Sequence, residues 1–391
     1  MRTEFLPYYK PALTPREIAH AVKSLTEGWL TTGPTVREFE LEFAEACGVK
    51  HAVALNSCTA ALHVALHALD IGPGDEVITP SLTFVAGAQC TRELGATPVF
   101  ADVDPETLSV TRETIEAVIT PRTRAIITMP YAGRPLDVEP IVTFARERGI
   151  EVIEDAAHAV GMLDRGRWAG VHSRAAAYSF YATKNLTTCE GGMLVTNDDA
   201  LADRARILGL HGMDRDAWKR YTAQGSWAYD VCEPGFKYNM PDPLAAIGLE
   251  QLENLPSMQA RRDELAHSYI DQLREVSGIS VQASPAHPGD RHSWCMFIVM
   301  IDEQITGISR NDFIDALRAR NIGTSVHYIP THKLSAYRSL GMSHSTHTES
   351  VWQRLISLPL YPSMRDDDVR DVVDAIVSVV HSRQSLYPMG A

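Results

Sequence analysis

The sequence lacks the features that mark membrane, secreted and metal-binding proteins. None of its apolar runs reaches the roughly 18 consecutive residues that a membrane-spanning helix requires. Its six cysteines are scattered, without a CxxC pair or a histidine at zinc-ligand spacing, so we expect reduced thiols and no metal site. The segment Met1 to Pro15 contains neither the basic nor the apolar part of a signal peptide, and we expect a cytoplasmic protein.

Basic charge is scarce as well. The 36 Lys and Arg residues are outnumbered by 49 Asp and Glu residues, which gives a formal charge of −13. Such a charge repels polyanions, so nucleic acid is not an expected partner, and an anionic small ligand would need its own local group of donors. Phosphate-binding glycine patterns are missing too, because Gly72-Pro73-Gly74 lacks the third glycine of a dinucleotide turn and no P-loop occurs.

What the chain does contain is a regular alternation of short apolar runs with amphipathic segments. This alternation predicts an α/β fold in which helices cover both faces of a mainly parallel sheet. The clearest predicted helices are Thr59–Leu69, behind the capping residue Ser57, and Leu244–Leu255. The predicted strands of this sheet are Ala52–Leu55, Glu76–Thr79, Thr97–Ala101, Ala125–Met129, Glu151–Glu154, Ala175–Phe180 and Gly192–Thr196.

A change of composition in the second half predicts two domains. Leu255–Pro256 interrupts the helical pattern, and an Arg-rich polar segment follows it. We therefore expect a large domain over residues 1–254 and a smaller C-terminal α+β domain over residues 255–391. In the smaller domain, strands are predicted near Met296–Ile301 and Thr324–Tyr328.

Lys184 and Asp155 each follow a predicted strand of the large sheet. In doubly wound sheets ligands bind beyond the carboxyl ends of the strands, so both side chains could face one cleft. Neither residue is informative alone, since most lysines remain in solvent and an aspartate after a strand usually caps a turn. Together they suit pyridoxal phosphate (PLP), whose pyridine nitrogen is kept protonated by a carboxylate while a lysine holds the cofactor.

Further residues could hold the phosphate of such a cofactor. The start of the helix at Cys58 and Thr59 offers backbone N–H groups and a hydroxyl, and Ser179 offers a second hydroxyl. Lys237 and Asn239 could supply additional nitrogen donors. A helix cap or a solvated loop would explain each of these residues equally well when it is taken alone.

Four ring-bearing residues are candidates for the space around the cofactor and substrate. Phe84 could stack on the pyridine ring, and His158 could lie against that ring or bond its oxygen. His327 and Tyr328 lie at the end of a predicted strand, where they could bond a sugar or a diphosphate. Core packing accounts for each of them as well as a site does.

Taken in order, these segments resemble the DegT/DnrJ/EryC1/StrS family of sugar aminotransferases, which have the fold-type I PLP architecture. The resemblance spans nearly the whole chain. It is carried by Gly28-Trp29-Leu30-Thr31-Thr32-Gly33-Pro34, Gly72-Pro73-Gly74-Asp75-Glu76-Val77-Ile78, Glu154-Asp155-Ala156-Ala157-His158-Ala159, Ser179-Phe180-Tyr181-Ala182-Thr183-Lys184-Asn185 with Glu190-Gly191-Gly192, and Gly235-Phe236-Lys237-Tyr238-Asn239-Met240.

The resemblance implies a role for each candidate. It implies Lys184 as the Schiff-base lysine and Asp155 at the pyridine nitrogen. The resemblance also implies positions for the remaining residues. It places Phe84 and His158 at the cofactor ring, Cys58, Thr59 and Ser179 at its phosphate, and Thr31 and His327 near the sugar nucleotide. Similar enzymes are homodimers in which the loop holding Asn239 reaches the partner's cofactor, so a dimer with two shared sites is implied.

Two departures from the family pattern stand out. Cys58 replaces the glycine usual in a Ser-Gly-Thr phosphate turn, which is tolerable where only the backbone N–H binds. The segment Thr128-Met129-Pro130-Tyr131 replaces a more common Pro-Val-His-Tyr and so removes a histidine near the site.

The function implied is transfer of an amino group, from glutamate, to a nucleotide-linked keto-sugar. The Lys-Tyr-Asn form of the last motif and His158 favour C4 of a dTDP-4-keto-6-deoxyhexose. Three alternatives stay open at this point: amination at C3, a PLP-dependent dehydratase or aminohydroxybenzoate synthase of the same fold, and a PLP-binding regulator without turnover. Sugar dehydratases carry histidine in place of the lysine, and Lys184 is therefore evidence against that class.

Overall fold

The computed structural model describes residues 2–214, 228–340 and 346–384. Its strands are β1 (His51–Leu55), β2 (Glu76–Pro80), β3 (Thr97–Ala101), β4 (Thr123–Thr128), β5 (Glu151–Asp155), β6 (Ala175–Ser179), β7 (Gly192–Thr196), β8 (Ile279–Val281), β9 (Phe297–Ile301) and β10 (Leu355–Leu358). Its helices are α1 (Pro15–Glu27), α2 (Pro34–Cys47), α3 (Cys58–Ala68), α4 (Ala86–Glu93), α5 (Arg112–Glu116), α6 (Glu139–Arg146), α7 (Asp199–Gly209), α8 (Asp242–Leu273), α9 (Glu303–Thr306), α10 (Arg310–Arg318), α11 (Thr346–Trp352) and α12 (Asp366–Gln384).

Within the described chain the first seven strands form one sheet in the order β1-β7-β6-β5-β4-β2-β3. Neighbours from β6 to β3 pair in parallel, whereas β7 runs antiparallel to both β1 and β6. The strand order reverses between β2 and β4, and the carboxyl ends of the parallel strands meet at one edge. The predicted α/β class with a mainly parallel sheet is thus confirmed, and this edge is the place where such sheets bind ligands.

Alternation along the strands gives each face of the sheet its own core. In β6, Ala175 and Ala177 pack with α3 and α7 on one face, while Ala176 and Tyr178 pack with α2 and α8 on the other. All four are fully buried, because successive side chains of a strand point to opposite faces and both faces are covered. Short side chains here let α3 approach the sheet closely, and its first residues, Cys58 and Thr59, lie at the ligand-binding edge.

Helix α8 extends well beyond the predicted segment Leu244–Leu255. It continues to Leu273 with Pro256 inside it, although an interior proline removes one helical hydrogen bond and costs about 3 kcal/mol. Buried residues on either side of the proline, among them Leu249, Leu255 and Leu265, provide packing that outweighs this cost. The helix spans the predicted boundary between residues 254 and 255, and the division of the chain there stays a prediction.

The C-terminal part contains a three-stranded antiparallel sheet in the order β10-β9-β8. Its core includes Phe297 of β9, Phe313 of α10, Ile376 of α12 and Leu6 from the N-terminal segment. The strand predicted near Met296–Ile301 is present as β9.

The strand predicted over Thr324–Tyr328 is wrong. Only Ser325 forms a bridge, with Ser357, because the preceding Gly323 is hydrogen bonded to Leu6 instead of continuing along a neighbouring strand. The segment is left irregular and lies across the ligand-binding edge of the large sheet. No helix of the described residues is both long and apolar enough to cross a membrane.

Candidate active site

A cavity of about 610 Å³ opens at the carboxyl ends of β1, β4, β5 and β6. Eight of the ten residues to which the resemblance gives a role at the site lie on its wall, although they come from five separate segments of the chain. These eight are Cys58, Thr59, Phe84, Asp155, His158, Ser179, Lys184 and His327. The fold therefore brings together most of the constellation that the sequence suggested.

Lys184 lies in a turn that follows β6. Its backbone N–H donates to the carbonyl of Tyr181, and its own carbonyl accepts a hydrogen bond from the hydroxyl of Tyr9, at 3.1 Å. The next residue, Asn185, is buried and donates to the carbonyls of Val160 and Ser293. Hydrogen bonds to Tyr181 and Tyr9, together with the buried Asn185, thus hold the backbone of Lys184 in place. The side chain of Lys184 is half-buried and lines the cavity.

Asp155 is the last residue of β5 and is 5% exposed. Its Oδ1 accepts a hydrogen bond from the backbone N–H of Ala157 at 3.1 Å and lies 3.7 Å from Sγ of Cys58. Burial raises the pKa of Asp155, while the N–H of Ala157 and the charge of Lys184 act in the opposite direction. A cation bound against this carboxylate would keep it ionised, as a protonated ring nitrogen does.

The start of α3 lies at the cavity wall and has the geometry of an anion-binding helix N-terminus. Ser57 caps the helix, as predicted, by accepting a hydrogen bond from the N–H of Ala60 at 3.0 Å. The N–H groups of Cys58 and Thr59 precede the first helical hydrogen bonds and remain available, since the first turn of a helix leaves its donors unpaired. A side chain at Gly192 would collide with the backbone of this turn, so β7 needs a glycine where it passes.

His158 follows β5 by three residues, is 2% exposed and lines the cavity. Burial, together with the charges of Lys184 and His327, lowers its pKa well below the usual value, so the imidazole is neutral. Nε2 lies 2.9 Å from the hydroxyl of Tyr328, whereas Nδ1 is buried without a partner among the described residues.

His327 is held from two sides at the cavity wall. Its Nδ1 lies 2.8 Å from the hydroxyl of Ser357, and its backbone carbonyl accepts a hydrogen bond from Tyr131. Burial and the charge of Lys184 lower the pKa of His327 to about 4. Tyr131 belongs to the segment in which a histidine common in similar sequences is absent, and the neighbouring Met129 lines the cavity directly.

Phe84 is 56% exposed at the mouth of the cavity, where its ring centroid lies 5.9 Å from that of Tyr328. The loop that carries it is tied to the segment after Tyr328. Ser81 accepts a hydrogen bond at its carbonyl from the N–H of Thr331, and its hydroxyl contacts Nδ1 of His332. These contacts fix the two aromatic rings relative to one another.

Two predicted residues lie outside the cavity of this chain. Asn239 donates to the hydroxyl of Thr32 at 2.7 Å and lines a separate small cleft. Thr31 is exposed, and its carbonyl accepts a hydrogen bond from the N–H of Asp242. Lys237 contacts Asn239 rather than the cavity. The single chain does not test the implied role of this loop at a partner's cofactor.

Sequence reasoning missed one tyrosine of the cavity wall, Tyr8, and did not place a second, Tyr328, beside His158. Tyr8 belongs to an N-terminal segment without periodicity, and Tyr328 was considered only as a contact to sugar or diphosphate. The signal that could have identified Tyr8 is the pair of adjacent aromatic residues Tyr8-Tyr9 near the start of the chain.

The residues present suit PLP in three respects. A buried carboxylate, Asp155, needs a cationic partner; the first turn of α3 offers free N–H groups to a phosphate; and Nδ1 of His158 needs a partner that the described residues do not provide. Lys184 lies on the same cavity. The fold and this cavity are those of a fold-type I PLP enzyme.

Comparison with known proteins gives the family. The model of the DegT/DnrJ/EryC1/StrS aminotransferase family matches residues 11–377. The chain belongs to this family. It is 47% identical over 383 residues to the spore coat polysaccharide biosynthesis protein SpsC of Bacillus subtilis, covering 97% of this chain and 98% of SpsC.

Solved structures of sugar aminotransferases have the same fold as this chain. The PMP form of the sugar aminotransferase Spr1654 of Streptococcus pneumoniae, described as putative, superposes with a TM-score of 0.90 at 31% identity, covering 97% of this chain and 100% of that one. Its PLP form has also been solved. DesI, solved with its TDP-sugar product, superposes with a TM-score of 0.87 at 33% identity, covering 99% and 96% of the two chains. The protein is thus a PLP-dependent sugar aminotransferase.

Proposed function

We propose that this enzyme transfers an amino group from glutamate to C4 of a dTDP-4-keto-6-deoxyhexose. The observation that carries the proposal is the convergence of Lys184, Asp155 and His158 on one cavity beside a phosphate-binding helix start. The likeness to DesI, which was solved with a TDP-sugar product, supports a nucleotide sugar as acceptor. The Lys-Tyr-Asn motif that ends at Asn239 and the histidine at 158 support C4 over C3.

Lys184 has two tasks in this proposal. It anchors the cofactor between turnovers, and once the amino acid has displaced it, its amine carries the proton from the α-carbon of the donor to the cofactor. PLP supplies an electron sink when the C–H bond breaks and carries the amino group from donor to acceptor. The tight anchoring of the Lys184 backbone through Tyr9 and Asn185 keeps the amine within reach of both carbon atoms.

In this proposal the other cavity residues bind and orient the cofactor. Asp155 keeps the pyridine nitrogen protonated, Phe84 and His158 contact the ring, and the phosphate is held by Thr59 and Ser179. At Cys58 the phosphate is held through the backbone N–H, because the thiol points to Asp155 and to the carbonyl of Ala177.

The proposal also assigns roles in substrate and cofactor binding to Thr31, His327 and Asn239. His327, at the cavity wall, contacts the sugar nucleotide. Thr31 and Asn239 act in a homodimer, in which Asn239 reaches the cofactor of the other subunit. We place the enzyme in the cytoplasm, where keto-sugar nucleotides and glutamate are both present.

A panel of keto-sugar nucleotides tests the acceptor. Purified enzyme is supplied with PLP and glutamate, and each product is identified by NMR. Amination at C4 of a dTDP-linked 4-keto sugar is the expected result, whereas amination at C3, loss of water, or no product from any member of the panel would overturn the assignment. Size measurement in solution tests the dimer separately.

A further inference from the structure

Tyr328 and His158 form a hydrogen-bonded pair inside the cavity. Oη of Tyr328 lies 2.9 Å from Nε2 of His158. Their rings are nearly parallel, with an interplanar angle of 9° and centroids 6.1 Å apart. The ring of Tyr328 also lies near that of Phe84, with the ring centroids 5.9 Å apart. Tyr328 therefore touches two of the side chains proposed to contact the cofactor ring.

The groups around the pair determine which partner holds the proton. Among the described residues, the hydroxyl of Tyr328 has no hydrogen-bond partner other than His158, and Nδ1 of His158 has none at all. Burial raises the pKa of Tyr328, and the neighbouring Cys295 and Tyr131 act in the same direction. The phenol therefore keeps its proton, while His158 stays neutral.

Two arrangements of the hydrogen bond are then possible. If Nε2 of His158 donated, the phenol proton would be left without an acceptor in the described part of the chain, and Nδ1 would carry no proton. If the phenol donates, both Oη and Nε2 are satisfied, and the proton of the imidazole is on Nδ1. The second arrangement leaves a single unpaired donor, and an oxygen of a bound ligand can pair with it.

We propose that Tyr328 is a positioning residue for the amino transfer: it donates to Nε2 of His158 and thereby fixes the ring orientation and the tautomer in which Nδ1 presents its proton to the ligand in the cavity. The inference rests on the proposed function in one respect, the placement of His158 at the cofactor. Tyr328 acts through His158 and need not touch a reacting atom.

The variant Tyr328→Phe tests this directly, because it removes Oη and keeps the aromatic ring and its contacts with His158 and Phe84. We expect the dissociation constant of PLP to rise about tenfold, the visible absorption maximum of the bound cofactor to shift, and kcat to fall about tenfold with little change in KM. The matched control is Tyr269→Phe, which loses a buried tyrosine hydrogen bond to the carbonyl of Pro359 outside the cavity. The control should retain the parent's PLP affinity and spectrum.

A double-mutant cycle separates positioning from a structural role. In a His158→Ala background, Tyr328→Phe should change PLP affinity and spectrum less than twofold, because the partner through which it acts is gone. A tenfold effect that persists without His158, or a Tyr328→Phe enzyme with the parent's affinity and spectrum, would overturn the inference. PLP binding and spectra need no sugar, so a wrong acceptor assignment would leave these results unchanged.

Discussion

Sγ of Cys58 lies 3.7 Å from Oδ1 of Asp155, so the first turn of α3 is in direct contact with the carboxylate that we propose binds the pyridine nitrogen. The thiol also lies 3.2 Å from the carbonyl oxygen of Ala177. Burial raises the pKa of Cys58 well above its usual value, and the charge of Asp155 raises it further. The thiol is therefore protonated at neutral pH, and it is held between two oxygen acceptors.

This environment predicts an inert thiol, because the thiolate is the reactive form. With iodoacetamide at pH 8, Cys58 should react at least about a hundredfold more slowly in the folded protein than in urea. Cys189 and Cys232, which are exposed in this chain, should be labelled before it. Peptide mass spectrometry over time gives the rates, and labelling of Cys58 as fast as that of Cys189 would contradict the described environment.

Replacement of Asp155 by asparagine should damage the cofactor site and spare the fold. A neutral amide cannot keep the pyridine nitrogen protonated, so kcat should fall by on the order of a hundredfold or more. The matched control is Asp164→Asn, since Asp164 is also buried and burial also raises its pKa, but it lies outside the cavity. Steady-state kinetics and PLP titration compare the two variants, and equal losses in both would remove the special role of Asp155.

Gly192 is expected to accept no side chain. A Cβ there would collide with backbone atoms of Ser57 and Cys58, which cannot yield without displacing the first turn of α3, where we propose that the phosphate binds. Gly192→Ala should therefore weaken PLP binding at least about tenfold and lower the melting temperature. Gly72→Ala serves as the control, because a Cβ at Gly72 meets nothing nearer than the carbonyl oxygen of Leu94, at 4.0 Å. Unchanged PLP affinity in Gly192→Ala would show that the turn can shift freely.

Stability should fall in mild acid, partly through His327. Its pKa is about 4 in the folded protein and near 6.5 in an unfolded chain, so between these values the unfolded state binds more protons. Stability is thus lost as the pH drops from about 6.5 toward 4, and the loss from this group at pH 5 is on the order of 2 kcal/mol.

His327→Asn removes this titration and keeps a polar side chain opposite Ser357. Its melting temperature should decline less between pH 7 and pH 5 than that of the parent, by several degrees. The exposed His267→Asn is the control and should follow the parent. Buried carboxylates such as Asp155 titrate in parent and variant alike, so the difference between the two isolates His327. Identical declines would mean that His327 is charged in the folded protein at pH 5.

Local patterns predicted the large sheet and the residues at its strand ends. Lys184, Asp155 and Ser179 follow short apolar runs whose burial on both faces is a strong signal, and the carboxyl ends of such strands must meet at one edge. The helix cap at Ser57 could also be predicted from the sequence, because a serine caps a helix by a hydrogen bond to a backbone N–H only a few residues away.

Contacts between segments that lie far apart in the sequence could not be predicted from local patterns. The run Thr324–Tyr328 has the composition of a strand, but Gly323 pairs with Leu6, more than 300 residues away in sequence, and this leaves Tyr328 free to meet His158. Pro256 led us to predict a domain boundary, because sequence rules for proline take no account of tertiary packing. In the structure, that packing stabilises α8 on both sides of Pro256. Thr31 and Asn239 lie outside the cavity of this chain, and the roles implied for them stay predictions because a single chain does not test a site shared with a partner.

The central claim is that Lys184 holds PLP and moves the proton in the amino transfer, and absorption spectroscopy tests it most directly. Parent enzyme with PLP should show a visible band, lose it on addition of glutamate and regain it with a keto-sugar nucleotide. Lys184→Ala should lack the lysine-bound band and turnover, while the exposed Lys23→Ala should match the parent. A Lys184→Ala enzyme that keeps the parent's band and full turnover would contradict the account.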